Sequence, residues 1–367
     1  MGRLSKSAVA IAAWLTWLGA LAPVLAQQPS EAGPPIDGAT RTQIIDHALK
    51  LLNEHYLSSD IAKAVERDIR DRLRRGEYDK LTRVRDFTNR LTEDMRAVSK
   101  DQHMGVLYAP GARPDIGAKK SEEERREARR RELRWGNYGF EKVERLGGNV
   151  GYLELTGFTE VDAEAQLTAS AAMNFVTNTN ALIIDLRGNS GGTYDMVTLI
   201  ASYLFGPERV HLNDIRWREG NRTQELWTSR EVAGRRYTGR DVYILTSRRT
   251  FSAAEELAYD LQVLKRATVV GERTGGGANP GVLYRFLNDY WVYVSEGRAV
   301  NPTTKTNWEG TGVKPDVEVP AEQALTVARL MALKKSLPTL RDARMRQGVQ
   351  EEINQLEKEL SGMNGKK

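Results

Sequence analysis

The sequence predicts an α/β fold preceded by a small helical N-terminal domain, and two observations indicate it. First, apolar residues recur at helical spacing in three successive segments between residues 44 and 95. Second, short β-branched runs alternate with amphipathic helices beyond residue 148. Strands that alternate with helices in this way are typical of a layered α/β architecture.

The elements of the α/β region follow from composition and from apolar period. β-branched runs predict strands at 149–155, 181–187, 241–247 and 267–272, and apolar stripes predict helices at about 161–178, 194–205 and 253–265. Residues 281–300 predict a hairpin that turns at Asn288-Asp289, and helix returns after about residue 321. The sequence contains no internal repeat.

These patterns divide the chain into segments. We expect a signal peptide (1–26), a flexible leader (27–38), an N-terminal helical domain (39–100), a connecting segment with a charged stretch (101–147), an α/β core (148–325) and a C-terminal helical tail (326–367).

The first 26 residues have the features of an export signal. Arg3 and Lys6 precede an apolar run of about 18 residues, and Val24-Leu25-Ala26 provides a cleavage site with a small last residue. A membrane anchor is the competing interpretation of such a run. We expect cleavage and a periplasmic or secreted protein. The chain has no cysteine, which excludes disulfides, thiolate metal sites, cysteine nucleophiles and attachment through a lipobox cysteine.

The charge pattern gives little indication of a polyanionic partner. The net charge of +5 includes Arg3 and Lys6, so their removal would leave +3. Residues 119–134 hold eight basic and five acidic side chains, and mixed signs at helical spacing favour a solvated, self-paired face. We expect no nucleic-acid partner and no stable membrane insertion after signal cleavage. Homo-oligomerisation is left open.

Ser252 lies in "RRTFSAAEELAYDL" (248–261), at the corner between a predicted strand and helix. Thr250 or Ser252 could simply cap the helix. A serine at such a corner could also be a nucleophile, since helical N–H groups would lie beside a developing oxyanion. The corner alone leaves both interpretations open.

Only one of the four histidines has a sequence context that suggests catalysis. His47 and His55 lie on the apolar side of the first helix, which favours helix packing or a surface contact, and His211 lies in an alternating strand, which favours a role on the strand face. His103, in the polar "DQHMGV", marks the boundary between the helical and α/β regions, where sites are common. No His, Asp or Glu grouping has metal-ligand spacing, so we predict no metal and no cofactor.

Glycine-rich segments follow two of the predicted strands. "DLRGNSGG" (185–192) lacks the lysine of a phosphate-binding loop, but Gly191 and Gly192 could present amides to an anion at a helix N-terminus. A tight strand-to-helix turn is the alternative. Glu309 lies among glycines in "NWEGTGV", an unusual position for a merely solubilising charge.

Five blocks, taken in order, resemble peptidase family S41, which includes the tail-specific or C-terminal processing proteases, the tricorn core and the retinoid-binding protein modules. They are "DQHMGV", "ALIIDLRGNSGG", "RTFSAAEELAYDL", "RATVVGERTGGG" and "WEGTGVKPDVEV". The resemblance covers roughly residues 40–325. It implies a ClpP/crotonase-like β-β-α superhelix core after the helical N-terminal domain.

The resemblance also implies the roles of individual residues. Ser252 corresponds to the nucleophile, and the Ala253 N–H with an amide of Gly191 or Gly192 corresponds to the oxyanion hole. His103 and Glu309 stand where the tricorn-like branch has its histidine base and its glutamate.

Departures from the processing proteases point to the tricorn-like and retinoid-binding branch. Gly277 stands where those proteases have a catalytic lysine, and Lys265 is read as a surface residue. The interval of about 110–147 is too short for a PDZ module. Gln102 stands where tricorn has a serine before its histidine.

We therefore predict an exported serine-type peptidase that hydrolyses peptide bonds of proteins or peptides through Ser252, His103 and Glu309. The alternative is a non-catalytic protein on the same scaffold that binds hydrophobic ligands.

Overall fold

The computed structural model describes residues 32–110 and 121–364. The helices in chain order are α1 (Gly38–His55), α2 (Ser59–Arg74), α3 (Val84–Ser99), α4 (Glu122–Trp135), α5 (Ala163–Val176), α6 (Tyr194–Leu204), α7 (Ala253–Val263), α8 (Ala324–Ser336) and α9 (Ala343–Asn364). The strands are β1 (Gly105–Tyr108), β2 (Phe140–Leu146), β3 (Val150–Leu155), β4 (Ala181–Asp185), β5 (His211–Trp217), β6 (Thr223–Trp227), β7 (Asp241–Thr246), β8 (Thr268–Gly271), β9 (Gly281–Phe286), β10 (Tyr290–Ser295), β11 (Gly297–Val300) and β12 (Val317–Glu318).

The chain divides into two compact units, each built from separate stretches of sequence. The first unit comprises Met1–Glu127, Asp214–Gln224 and Gly277–Val300. The second comprises Ala128–Asn213, Glu225–Gly276 and Asn301–Lys367.

The first unit packs helices α1 to α3 against a three-stranded sheet of order β1-β10-β9. Strands β9 and β10 form an antiparallel hairpin, whose turn has positive φ at Leu287 (43°) and Asn288 (67°). Strand β1 pairs antiparallel with β10, from Gly105 opposite Tyr293 to Tyr108 opposite Tyr290. The pairing places the residues that follow α3 at the edge of the hairpin.

The second unit is built on a six-stranded sheet of order β12-β8-β7-β4-β3-β2. The neighbours from β12 to β3 pair in parallel, and β2 adds antiparallel to β3. Every residue of β4 is buried, as expected for a central parallel strand. Apolar side chains of α8 and α9 pack with this sheet around Leu333 and Ile353.

The predicted α/β class with N-terminal helices is confirmed, and so is the hairpin around Asn288-Asp289. The predicted strands and helices between 149 and 272 agree with β3, β4, β7, β8, α5, α6 and α7 to within about three residues. Strand β2 was not predicted. Its sequence, FEKVERL, is half charged, because one of its faces is exposed.

Several predictions concern residues outside the described ranges. The signal peptide at 1–26, the first part of the leader and residues 111–120 all belong to this group. Within 32–110 and 121–364, no helix combines the length and the apolar character that crossing a bilayer requires. The proposed domain boundaries stay a prediction.

Candidate active site

Two neighbouring parallel strands of the second unit carry the loops of the candidate site. Strands β4 and β7 pair in register from Ala181 opposite Asp241 to Asp185 opposite Leu245. Because the strands are parallel, their carboxyl ends meet at one edge of the sheet, which is the usual place for sites in such sheets. The glycine-rich 185–192 segment follows β4, and the corner with Ser252 follows β7.

Ser252 has a strained backbone. Its φ is 56° and its ψ is −125°, a conformation that a residue with a Cβ rarely adopts. Such a residue costs about 1–3 kcal/mol, and residues of this kind cluster at functional sites. An ordinary N-cap serine would be in the extended region. Ser252 thus occupies the N-cap position of α7 without the usual cap geometry.

Hydrogen bonds within residues 247–251 and to the loop after β4 fix the corner that carries Ser252. The Thr250 hydroxyl donates to the Leu186 carbonyl at 2.8 Å and accepts from the Ser247 N–H at 2.9 Å, so it does not cap α7. The Phe251 N–H donates to the Asn189 carbonyl at 3.1 Å. The corner after β7 is therefore bonded directly to the loop after β4.

Glu255 lies in the first turn of α7 and is fully buried. One of its carboxylate oxygens accepts from the Ser252 N–H at 2.8 Å. The other accepts from the Gly276 N–H at 2.7 Å and from the Thr274 hydroxyl at 2.5 Å. Ser252 and Glu255 have the arrangement of a capping box.

Gly191 lies directly against Ser252. A Cβ on Gly191 would lie 2.7 Å from the Ser252 Cβ and 3.0 Å from the Ala253 nitrogen, and its φ of 104° also favours glycine. The Gly191 N–H donates to the Asn189 side-chain oxygen at 2.8 Å. The first of the two amides considered as oxyanion donors therefore already has a partner.

Gly192 forms an isolated parallel bridge with Phe158. The Phe158 N–H donates to the Gly191 carbonyl, and the Thr193 N–H donates to the Phe158 carbonyl, both at 2.8 Å. In a parallel bridge of this kind the flanking residues make the bonds, so the N–H of Gly192 faces away from Phe158. A Cβ on Gly192 would lie 1.7 Å from the Phe158 oxygen, which makes glycine necessary there as well.

Glu309 is half-buried in a loop of the second unit. Its N–H donates to the Asn307 side-chain oxygen at 3.0 Å. The next residue, Gly310, donates its N–H to the Gly276 carbonyl at 2.8 Å. Since the Gly276 N–H bonds to Glu255, the Glu309 loop is joined to the Ser252 corner through two residues.

His103 belongs to the first unit, in the turn between α3 and β1. Its backbone N–H donates to the buried Asp101 carboxylate at 2.9 Å, and the Tyr56 hydroxyl donates to the same carboxylate at 3.1 Å. The imidazole stacks on the Tyr293 ring, with centroids 5.2 Å apart. Burial lowers the pKa of His103 to about 4, with Asp101 raising it and Arg96 lowering it further. The imidazole is therefore neutral at pH 7. Its pairing with Ser252 and Glu309 stays a prediction.

The other three histidines stack on aromatic rings, although His47 is exposed and therefore does not lie on the apolar side of its helix. His55 stacks on Tyr284 with centroids 4.5 Å apart, and His47 on Phe286 at 6.0 Å. His211 stacks on Trp227 at 4.2 Å. Lys265 is exposed, as predicted.

Two carboxyl groups on α7, those of Glu256 and Asp260, form a buried pair that was not predicted. Glu256 accepts from the Asn213 side chain at 3.3 Å, and Asp260, one turn later, accepts from the Asn301 side chain at 3.1 Å. Burial raises the pKa of Glu256. The pKa of Asp260 is also raised, first by burial and second by the charge of the nearby Glu256. The pair lies directly beyond Glu255 on the helix that Ser252 begins.

The hydrogen bonds of Asn189 to Gly191 and of Glu255 to Ser252 were not predicted. The spacing S-x-x-E from Ser252 to Glu255 is a known capping signal and could have indicated the bond to the Ser252 N–H. No comparable local signal marks the contact of Asn189 with Gly191, because it depends on the shape of the loop.

Sequence relatives agree with the five-block resemblance. A carboxyl-terminal-processing protease of Synechocystis sp. is 37% identical over 188 residues, which are 51% of this chain and 41% of that protein. The chloroplastic carboxyl-terminal-processing peptidase 2 of Arabidopsis thaliana is 28% identical over 172 residues, which are 47% of this chain and 32% of that protein. The chain spans less than half the length of these curated relatives.

Among solved structures, a candidate peptidase from Parabacteroides merdae is similar in fold. The TM-score is 0.52 at 21% identity, over 76% of this chain and 89% of that one. This similarity supports the fold assignment alone.

Two family sequence models match the chain in separate regions. The model for peptidase family S41 matches residues 149–319, and the model for the N-terminal domain of peptidase S41 in eukaryotic IRBP matches residues 39–131. Together they cover well over half of the sequence, in the order that the five blocks predict. The chain therefore belongs to peptidase family S41.

Proposed function

We propose that the protein is a serine-type peptidase that hydrolyses peptide bonds of proteins or peptides, with Ser252 as nucleophile. The observation that carries the proposal is the strained backbone of Ser252, with φ 56° and ψ −125°, at a strand-to-helix corner. Strain of this kind is retained where the surrounding structure over-determines it and the function needs it. Family membership and the names of the sequence relatives support the reaction class.

In the proposed mechanism His103 is the general base. It takes the Ser252 proton as Oγ attacks the substrate carbonyl carbon, and then gives that proton to the leaving amine as the C–N bond breaks. Water hydrolyses the acyl-enzyme by the same sequence of proton transfers. A neutral imidazole is required at the first step, and the lowered pKa of His103 supports this. Glu309 would orient the imidazole and stabilise its protonated form.

The oxyanion would be bound by backbone amides at the start of α7. We assign the donors to the Ala253 N–H and the Gly192 N–H. The Gly191 N–H donates to Asn189, which favours Gly192 of the two glycines. The positive end of α7 adds to the stabilisation of the developing charge. Donors of this kind typically contribute ~10²–10³ in rate.

We also propose that the protein acts after export, once residues 1–26 are removed, with residues 148–325 as its catalytic core. The N-terminal sequence pattern supports the first point, and the family match over residues 149–319 supports the second. The match of residues 39–131 to the IRBP-type N-terminal domain favours the branch without a PDZ module.

The experiment that tests this proposal is intact-protein mass spectrometry after treatment with a fluorophosphonate. Wild type, Ser252→Ala and His103→Ala would be compared, each checked for folding by circular dichroism. We expect one adduct on wild type and none on either variant. A library of unstructured peptides, analysed by mass spectrometry, would then identify cleaved bonds.

A folded wild type that forms no adduct and cleaves no peptide would overturn the proposal. The non-catalytic alternative would then be tested with hydrophobic ligands, by titration of tryptophan fluorescence. Binding of a retinoid or fatty acid without hydrolysis of peptides would favour that alternative.

A further inference from the structure

We infer that Glu255 is a positioning residue that holds Ser252 in its reactive backbone conformation and fixes the loops beside it. The inference rests on the proposed function for its catalytic consequence. Its structural part concerns the hydrogen bonds of one fully buried carboxylate and can be tested without any activity.

Glu255 contacts Ser252 directly. A positive φ at a serine is unfavourable and must be maintained by its surroundings. The Glu255 carboxylate accepts from the Ser252 N–H at 2.8 Å, so it bonds the peptide unit whose rotation sets that φ. Relaxation of Ser252 to an extended conformation would turn this N–H away and break its bond to the buried carboxylate.

Glu255 also contacts the neighbouring loops. The other carboxylate oxygen binds the Gly276 N–H and the Thr274 hydroxyl. The Thr274 oxygen in turn accepts from the Val313 N–H at 2.7 Å, and the Gly276 carbonyl accepts from the Gly310 N–H. These bonds link the Ser252 corner to both ends of the 310–313 segment, which directly follows Glu309.

The carboxylate of Glu255 matches these donors. The two N–H groups and the hydroxyl donate to Glu255, and an ionised carboxylate accepts at both oxygens. Glutamine has the same shape but would place an NH₂ group against one of these donors. The site therefore distinguishes Glu from Gln by hydrogen-bond polarity alone, with almost no change in volume.

A simpler interpretation is that Glu255 only completes a capping box and stabilises α7. That role predicts a lower melting temperature and normal kinetics per folded molecule. A positioning role predicts in addition a lower kcat with little change in KM, because the geometry of the nucleophile changes and the remote substrate contacts do not.

The experiment compares Glu255→Gln with Glu256→Gln, a matched control at the next position. Glu256 is also buried, but its carboxylate accepts from the Asn213 side chain, and it contacts Ser252 through a backbone hydrogen bond that the substitution keeps. We would measure fluorophosphonate labelling rate, kcat and KM for a cleaved peptide, and hydrogen exchange at residues 252 and 276. Thr274→Val, which removes one bond to Glu255, provides a milder variant should Glu255→Gln fold poorly.

For Glu255→Gln we expect labelling and kcat to fall about 10²-fold, the scale of a small misplacement of reacting groups. Exchange at residues 252 and 276 should become faster, Thr274→Val should lie in between, and Glu256→Gln should match wild type. Folded Glu255→Gln with wild-type labelling, kcat and exchange would reduce Glu255 to a helix cap. If wild type itself neither labels nor cleaves, the proposed function fails, and the exchange rates alone decide the positioning role.

Discussion

The Ser252 Cβ lies 2.7 Å from the point that a Cβ on Gly191 would occupy. Real Cβ atoms do not approach this closely, so the two residues cannot both carry side chains without a shift of the backbone. The glycine-rich loop is thus fitted to the corner that carries the candidate nucleophile, independently of any turn requirement.

Replacing Gly191 by alanine should abolish reactivity at Ser252. The added methyl would displace Ser252 or the loop, and the φ of 104° at Gly191 adds strain. We expect fluorophosphonate labelling to fall at least 10²-fold, by analogy with the loss of an oxyanion donor. Gly188→Ala is the matched control, since that exposed glycine has nothing within 4 Å of its Cβ position. Equal labelling of the two variants would contradict the proposed arrangement.

On the acid side, peptidase activity should fall only at a pH well below the usual pKa of histidine. Burial lowers the pKa of His103 to about 4, so the imidazole stays neutral, and able to accept a proton, down to that pH. We expect kcat/KM to be nearly constant from pH 7 to 5 and to fall near pH 4. The profile should be measured with an uncharged peptide substrate. A midpoint near 6.5 would indicate a solvent-exposed base.

The same shift makes folding stability depend on pH in a defined direction. Unfolded His103 binds a proton below about pH 6.5, whereas the folded protein binds it only below about 4. This residue therefore favours unfolding progressively as the pH falls through that window. Urea midpoints of wild type and His103→Gln should diverge between pH 7 and 4, with wild type losing more stability. Parallel curves would show that His103 is more hydrated than the structure indicates.

Glu256→Gln should stabilise the protein at alkaline pH. Burial raises the pKa of Glu256 above its ordinary value near 4.5. As the pH rises above 4.5, the carboxyl ionises more readily in the unfolded state, so Glu256 increasingly favours unfolding. Relative to wild type, we expect a gain on the order of 1–3 kcal/mol at pH 9, since each unit of pKa shift corresponds to about 1.4 kcal/mol. The two proteins should be nearly equal at pH 4 to 5 in urea titrations. The exposed Glu322→Gln serves as control and should show no such gain. A uniform effect of Glu256→Gln at every pH would mean that packing, not charge, is responsible.

Export should leave a mature chain that begins at Gln27. Cleavage after Val24-Leu25-Ala26 is expected when the full sequence is produced in a bacterial host, because signal peptidases select small residues before the cut. Intact mass and N-terminal sequencing of the secreted or periplasmic protein would verify this. Ala26→Arg should block processing. Recovery of the intact N-terminus in the membrane fraction would favour an anchor instead.

Local patterns in the sequence were sufficient for four strands of the second unit's sheet, β3, β4, β7 and β8. Buried parallel strands such as β4 are short, continuous apolar runs, and helices such as α7 carry apolar stripes, so each is recognisable without its neighbours. Strand β2 was not predicted, because its exposed face makes its sequence rich in charged residues and leaves no continuous apolar run. The antiparallel pairing of β1 with β10 joins segments about 185 residues apart, and such contacts leave no local signal.

The candidate site was predictable to a similar extent. Ser252, Gly191 and Gly192 were identified from their places after predicted strands and from the family resemblance. The choice between the two glycine amides required the position of the Asn189 side chain, and that position depends on the folded loop. The strain at Ser252 likewise has no signature in the residue type, since serine at a helix start is ordinarily a relaxed cap.

The pairing of β4 with β7 has a consequence for how the site can vary. The glycine-rich loop (185–192) and the corner with Ser252 leave the sheet from adjacent strands, so backbone hydrogen bonds set the distance between their starting points at about the 4.8 Å spacing of neighbouring strands. Core side chains on either face of the sheet can be exchanged without altering that distance. If the proposed function holds, substrate preference can therefore diverge through the surrounding segments while the spacing between the proposed nucleophile and the proposed oxyanion donors stays constant.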